Sequence, residues 1–112
     1  MKRGDVYDAR LSPTEGSEQA GTRPVIVVSR DAINKNSPVI VVVPLTNAAN
    51  IKRQYPNNVL IRKGDGGLSA DSVALGGQVR AISKKRLRRL RGSLSPESMQ
   101  ALNRALRITL DL

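Results

Sequence analysis

The chain contains no cysteine, histidine, tryptophan or phenylalanine. Without cysteine it can form no disulfide and no thiolate metal site, which is typical of proteins from a reducing compartment. Without histidine it also lacks the commonest metal ligand and the commonest general base. We therefore expect no metal and no other cofactor, and any acid–base chemistry must come from carboxylates, lysine, arginine, tyrosine or hydroxyl groups.

Aromatic residues are almost absent, since the only ones are two tyrosines. The core must therefore be built from Val, Ile, Leu and Ala, and the β-branched members of this set favour strands. A length of 112 residues is enough for one modest core and too short for two useful ones. The sequence thus predicts one mainly β domain spanning residues 1–112.

Long hydrophobic runs are missing as well. The longest, 38–45, is far shorter than the roughly 20 residues that a membrane helix needs. No signal-peptide pattern follows Met1. We therefore expect a cytoplasmic protein that does not enter a membrane.

What the chain does have is positive charge. Lys and Arg number 19 against 9 Asp and Glu, so the formal net charge is +10. A charge of this size favours a polyanionic partner, such as nucleic acid or an acidic protein.

Alternating and β-branched segments predict five strands. They are 6–11, 24–29, 39–45, 58–62, and a fifth over 72–75 and 78–82 that is interrupted at Gly76–Gly77. The second and third are apolar throughout, which is typical of strands covered on both faces. A helical turn fits between the second and third strands.

Two further segments are predicted to be helical. Leu87, Leu90 and Leu94 occur at helical spacing in and after the basic run 84–91, which predicts a helix with a basic outer face. That face is either simply solvated or attracts RNA or an acidic protein segment. Ser95 then begins a capping pattern ahead of a C-terminal amphipathic helix. Its apolar residues are Met99, Leu102, Leu106 and Leu110.

A polar loop bounded by Gly16 and Gly21 runs directly into the second strand. It places the carboxylate of Glu18 close in sequence to the guanidinium of Arg23, beside a rigid apolar strand. These two groups either form a simple surface ion pair, worth about 0 to 1 kcal/mol, or belong to a functional site.

Four segments taken together, in order and at matching spacing, resemble the MazF/PemK family of toxin endoribonucleases. They are Gly16–Gly21, Thr22–Val27, Val43–Asn47 and Gln78–Ile82. The resemblance implies a small SH3-like β-barrel of the CcdB/MazF/PemK toxin type, with short helices and a C-terminal helix. It also implies a homodimer that cleaves single-stranded mRNA without metal and is neutralised by a MazE-like antitoxin.

The resemblance also implies roles for individual residues. Arg23 and Thr46 match the catalytic pair, with Arg23 acting on the scissile phosphate and in proton transfer while Thr46 hydrogen-bonds the phosphate. Glu18 and Arg80 match positions assigned as base and transition-state stabiliser. The residues expected along the RNA path are Ser17, Gln19, Asn47, Arg53 and Gln78. Gly77 departs from the family pattern, in which an acidic residue precedes the glutamine.

Such chemistry is possible with these residue types, because RNA carries its own nucleophile in the 2′-hydroxyl. Arginine matches two phosphate oxygens at once and is always charged, so Arg23 and Arg80 suit electrostatic stabilisation. The products would be 2′,3′-cyclic phosphate and 5′-hydroxyl ends. The residue acting as general acid is left open, since a pKa above about 12 makes arginine a poor proton donor.

Two other functions compete with this interpretation. A toxin of the same fold could poison a topoisomerase (gyrase) by protein contact, although the chain lacks the C-terminal tryptophan used by that branch. A plain RNA-binding barrel is the third possibility. Single-strand binders usually stack bases on aromatic residues, and only Tyr7 and Tyr55 are available.

Overall fold

The computed structural model describes residues 1–11 and 21–112. Within them the chain is mainly β, as expected. The strands are β1 (Asp5–Arg10), β2 (Thr22–Val27), β3 (Val39–Asn47), β4 (Asn58–Ile61), β5 (Ser72–Leu75), β6 (Arg80–Ser83) and β7 (Leu87–Ser93). The helices are α1 (Asp31–Asn36) and α2 (Pro96–Leu110), and short 3₁₀ turns cover Ala48–Asn50, Asp65–Gly67, Gly76–Gln78 and Lys84–Arg86.

The long strand β3 lies at the centre of the sheet. Its first half pairs with β6, its middle with β2 and its last residues with β5, and all of these pairings are antiparallel. The strand order is β4-β5-β3-β2-β1-β7, with β6 beside β3. Among the described residues, β4 and β7 are therefore the two ends of this strand order. Over residues 1–11 and 21–112 the sheet is not closed into the barrel that the family resemblance implied.

Both faces of the sheet are buried, which explains the unbroken apolar runs of β2 and β3. Alternate residues of a strand point to opposite faces, and here each face contributes to a different core. One core contains Val6, Ile26, Val43, Leu45 and, from α2, Leu102 and Ala105. The other contains Ala9, Leu11, Val25, Val27, Ile40, Val42 and Ile82.

The predicted fifth strand is two strands that run along the same partner. β5 pairs with the end of β3 and β6 with its beginning. Residues 75–79 lie opposite only Val43 and Pro44, and the extra length forms the 3₁₀ turn Gly76–Gln78. The predicted interruption at Gly76–Gly77 is thus confirmed.

The helix predicted over the basic run 84–91 is wrong. The run forms a 3₁₀ turn followed by β7, which pairs with β1. Leu87 lies opposite Ala9 and Leu90 opposite Tyr7, with a register shift between them. Because this bulge adds one residue to β7, Leu87 and Leu90 are three residues apart in a strand, and this spacing imitates that of a helix.

The C-terminal helix is confirmed. Ser95 caps it, and the carboxylate of Asp65 accepts hydrogen bonds from the residues of this cap. The Ser95 hydroxyl accepts a hydrogen bond from the Ser98 N–H at 3.2 Å. Asp65 in turn accepts from the Ser95 N–H at 2.8 Å and from the Ser98 hydroxyl at 2.6 Å. Burial raises the pKa of Asp65, but hydrogen bonds from Ser98 and Ser95 lower it by more, so this pKa lies below its ordinary value.

We expect Asp65→Asn to reduce the free energy of unfolding at pH 7 by about 1 to 2 kcal/mol, because the amide is a weaker acceptor for these donors. The folded-state pKa is lowered, so this stabilisation is complete above the ordinary value of 3.8 and is lost as the pH falls through the lower folded value. Urea unfolding at pH 7 and at acidic pH measures it. The control is Glu97→Gln, which removes a charge from the same helix end; equal losses for both variants at every pH would contradict the assignment.

Candidate functional site

A cavity of about 170 Å³ opens where β2 begins and β3 ends. We call it the strand-end cavity. Its lining residues are Arg23, Pro24, Leu45, Thr46, Asn47, Leu68, Ser69, Ala70, Ser72 and Arg91. Three of the residues predicted from the sequence, Arg23, Thr46 and Asn47, therefore come together here.

The register of the sheet brings Arg23 and Thr46 to the same place. Val25 of β2 lies opposite Pro44 of β3. Continuing the antiparallel register by two residues places Arg23 opposite Thr46, and residues directly opposite each other project on the same side. On the other side of β2, Arg23 lies opposite Ala9 of β1. The guanidinium thus extends from a residue that is paired with β1 and lies two residues from the start of the β2–β3 pairing.

The Thr46 side chain is held in a defined orientation. It is buried, with 5% of its surface exposed. The Asn50 Nδ2 atom donates a hydrogen bond to the Thr46 Oγ1 atom over 3.1 Å. An amide nitrogen can only donate, so the hydroxyl accepts in this bond and its own hydrogen can be donated to an anion in the cavity.

Arg91 is a lining residue that sequence reasoning missed. Its side chain is 14% exposed, and one terminal nitrogen lies 3.0 Å from a carboxylate oxygen of Asp8. The other terminal nitrogen donates to the Gly67 carbonyl at 3.2 Å. The described lining of the strand-end cavity contains two guanidinium groups and no carboxylate. This composition suits an anion.

A second, more open cavity of about 420 Å³ lies between the loop that precedes β4 and the 3₁₀ turn that follows β5. We call it the loop cavity. It is lined by Asn50, Ile51, Lys52, Arg53, Tyr55, Asn57, Asn58, Leu75, Gly77 and Gln78. Two residues predicted to lie along the RNA path, Arg53 and Gln78, are therefore found here. Asn50 and Tyr55 were not predicted, because their position depends on how the loop after β3 folds back.

The remaining predicted residues lie elsewhere. Arg80 is on β6 opposite Val42 and lines neither cavity, so its role stays a prediction. Ser17, Glu18 and Gln19 lie outside the described residues.

Across residues 1–11 and 21–112, no three His, Cys, Asp or Glu side chains are grouped so as to hold a metal ion. In the same part of the chain, no helix has the length and hydrophobicity needed to cross a membrane.

Sequence comparisons connect this arrangement to known proteins. The family model for PemK-like, MazF-like toxins of type II toxin-antitoxin systems matches residues 2–110. The endoribonuclease MazF of Staphylococcus saprophyticus is 44% identical over 112 residues, which is 100% of this chain and 92% of that protein.

Solved structures share the fold over its whole length. An endoribonuclease in complex with its cognate antitoxin, from a mycobacterial species, superimposes with a TM-score of 0.83 at 27% identity, covering 100% of this chain and 96% of the other. MazF from Deinococcus radiodurans superimposes with a TM-score of 0.84 at 21% identity, covering 100% and 97%. At that identity the second comparison concerns the fold alone.

We expect Gly67→Ala to be strongly destabilising, because it disturbs the backbone that holds Arg91. Gly67 has a φ of +72°, and an added Cβ would lie 2.1 Å from the Arg91 carbonyl oxygen. The matched control is Gly64→Ala, where φ is +96° but nothing lies within 4 Å of the new carbon. The control should cost about 1 to 3 kcal/mol from backbone strain alone, and Gly67→Ala about 1 to 3 kcal/mol more. Urea unfolding measures both, and equal losses would show that the close approach is unimportant.

Proposed function

The chain belongs to the family of PemK-like, MazF-like toxins of type II toxin-antitoxin systems, and we infer from this membership that it is an endoribonuclease toxin. The reaction we propose is metal-independent cleavage of single-stranded mRNA at specific sequences, leaving 2′,3′-cyclic phosphate and 5′-hydroxyl ends. The observation that carries this proposal is the strand-end cavity, which joins Arg23, Arg91 and the Thr46 hydroxyl without a carboxylate in its described lining.

The cavity supplies what this reaction needs. The 2′-hydroxyl of RNA attacks the adjacent phosphorus, and negative charge builds on the phosphoryl oxygens in the transition state. Donors already fixed at that position stabilise the charge with no reorganisation. Arg23 extends from a strand position paired with β1, and the Thr46 hydroxyl is oriented by Asn50. Removing one donor of this kind typically raises the barrier by roughly 2.7 to 4 kcal/mol.

Proton transfer needs a base for the 2′-hydroxyl. Glu18 is the proposed base, because it lies in the polar loop that leads into the strand of Arg23 and the chain has no histidine. The proposed role of Arg80 is electrostatic stabilisation of the transition state, through its permanent charge. Asn47, Arg53 and Gln78 line the two cavities, and together with Ser17 and Gln19 they are proposed to contact the RNA.

The proposed partners follow from charge and family. A relative with the same fold was solved in complex with its cognate antitoxin, and we propose a MazE-like antitoxin for this chain. A net charge of +10 favours both RNA and an acidic antitoxin segment through long-range attraction. The active form is proposed to be a homodimer in the cytoplasm.

Of the alternatives, topoisomerase poisoning and simple RNA binding have less support. The 44% identical relative carries the name endoribonuclease. The strand-end cavity is also small and has two guanidinium groups in its lining, which suits a phosphate better than a stacked base.

The Arg23→Ala variant tests the role of the strand-end cavity. We expect it to lower the cleavage rate at least about a hundredfold and to leave the fold intact, because the Arg23 side chain is exposed. Single-turnover cleavage of a labelled RNA measures the rate, and circular dichroism checks the fold. The control is Arg104→Ala, which removes the same charge from an exposed position on α2. A folded Arg23→Ala variant that cleaves like Arg104→Ala would remove Arg23 from the mechanism.

The chemistry of the products tests the proposed reaction itself. Purified protein incubated with a long RNA in excess chelator should still cleave, since the nucleophile is the 2′-hydroxyl of the substrate. Ligation-based sequencing of the fragments should find 5′-hydroxyl ends, and periodate-resistant 3′ ends should reveal the cyclic phosphate. Cleavage that stops in chelator, or that yields 5′-phosphate ends, would indicate metal-activated water instead.

A further inference from the structure

One side chain, Asn50, links the two cavities. It lines the loop cavity, and its Nδ2 atom donates to Thr46 in the wall of the strand-end cavity. Asn50 ends the 3₁₀ turn that follows β3, and the start of this turn is fixed by the Asn47 side chain, which accepts from the Ala49 N–H at 2.9 Å. A displacement of the Asn50 amide must therefore change a hydrogen bond at Thr46.

The loop cavity has the composition of a site for an unpaired base. Its lining includes Tyr55, which is 54% exposed and offers an aromatic ring, and Leu75, which is 7% exposed and offers an apolar surface. The side-chain amides of Asn58 and Gln78 can form hydrogen bonds to a base edge. Unpaired bases are recognised by this combination of aromatic stacking and amide hydrogen bonds.

The charge of the loop cavity is also favourable for RNA. Lys52 and Arg53 line it, and its described lining contains no carboxylate. Gly77 also lines the cavity and adds no charge to it. An added Cβ at Gly77 would approach the Asn57 Nδ2 atom to 3.0 Å, so glycine also leaves this amide room.

We propose that the loop cavity binds the base of a nucleotide next to the cleaved linkage, and that Asn50 couples the occupied cavity to the Thr46 hydroxyl. The proposal rests on the proposed function, which puts the scissile phosphate in the strand-end cavity. The bound base contacts the carbonyl oxygen of the Asn50 side chain, while the Nδ2 atom continues to hold Thr46. Tyr55 is then a specificity residue and Asn50 a positioning residue.

Base binding is tested with variants of Tyr55 on an RNA that the protein cleaves. Tyr55→Ala should raise KM about tenfold with little change in kcat, because stacking on the ring is lost. Tyr55→Phe keeps the ring and should retain the wild-type KM. A stable abasic nucleotide placed in turn on either side of the cleaved linkage should reproduce the rise in KM of Tyr55→Ala at one of these positions. An unchanged KM for Tyr55→Ala would overturn the proposal.

Coupling is tested with two variants of Asn50, which is itself exposed. Asn50→Ala should lower kcat about tenfold, as expected for the loss of one hydrogen bond at the reacting site. Asn50→Asp should lower it further, since a carboxylate accepts the Thr46 hydroxyl hydrogen and keeps it from the phosphate. If Asn50 only supported the turn, Asn50→Asp should have a higher kcat than Asn50→Ala, because aspartate has the same shape as asparagine.

The abasic RNA connects the two halves of the proposal. With the wild-type protein it should lower kcat as well as raise KM, whereas with Asn50→Ala it should raise KM without lowering kcat again. Independent, multiplicative effects on kcat would refute the coupling. If Arg23→Ala abolishes cleavage but Asn50→Asp keeps the kcat of the wild-type protein, this inference alone is overturned. Undiminished cleavage by Arg23→Ala would overturn the proposed function and this inference with it.

Discussion

Strand β3 forms hydrogen bonds with β2, β5 and β6, and this shared pairing determines where the candidate site lies. Its side chains enter cores on both faces of the sheet, so the strand can neither slide nor rotate without exposing apolar surface. Thr46 lies near the end of this fixed strand, and the β2–β3 register carries Arg23 to the same point. The rigidity that a phosphate site needs thus comes from aliphatic packing some distance from the site.

Two arginine side chains supply the positive charge at the strand-end cavity. Arg91 is oriented by Asp8 and by the Gly67 carbonyl, so a charged group in the cavity wall is fixed by the same contacts that join β7 to β1. The Asp8 carboxylate compensates part of its charge, which allows a guanidinium to be mostly buried. Arg23 lies on the more exposed side of the strand-end cavity. The cavity thereby combines one anchored cation with one that can reach an incoming RNA.

The sequence predicted the parts that depend on local pattern. The apolar strands β2 and β3, the interruption at Gly76–Gly77 and the capped helix after Ser95 follow from periodicity and capping rules. The family resemblance brought Arg23 and Thr46 into one hypothesis, and the structure places them in one cavity. The features that were missed depend on non-local geometry. The bulge between β1 and β7 gave Leu87 and Leu90 a helical spacing, which concealed the strand that carries Arg91. The open sheet likewise follows from pairings that no local pattern predicts.

The proposed reaction requires Arg23 and Thr46 together to bind the phosphate that is cleaved. The most direct measurement is a crystal structure of the wild-type protein with an RNA whose nucleotide before the cleaved linkage carries a 2′-O-methyl group, which removes the nucleophile. We expect the scissile phosphate in the strand-end cavity, with its oxygens about 3 Å from the Arg23 guanidinium and from Thr46 Oγ1. An RNA bound with its scissile phosphate elsewhere, and with this cavity left to solvent, would contradict it.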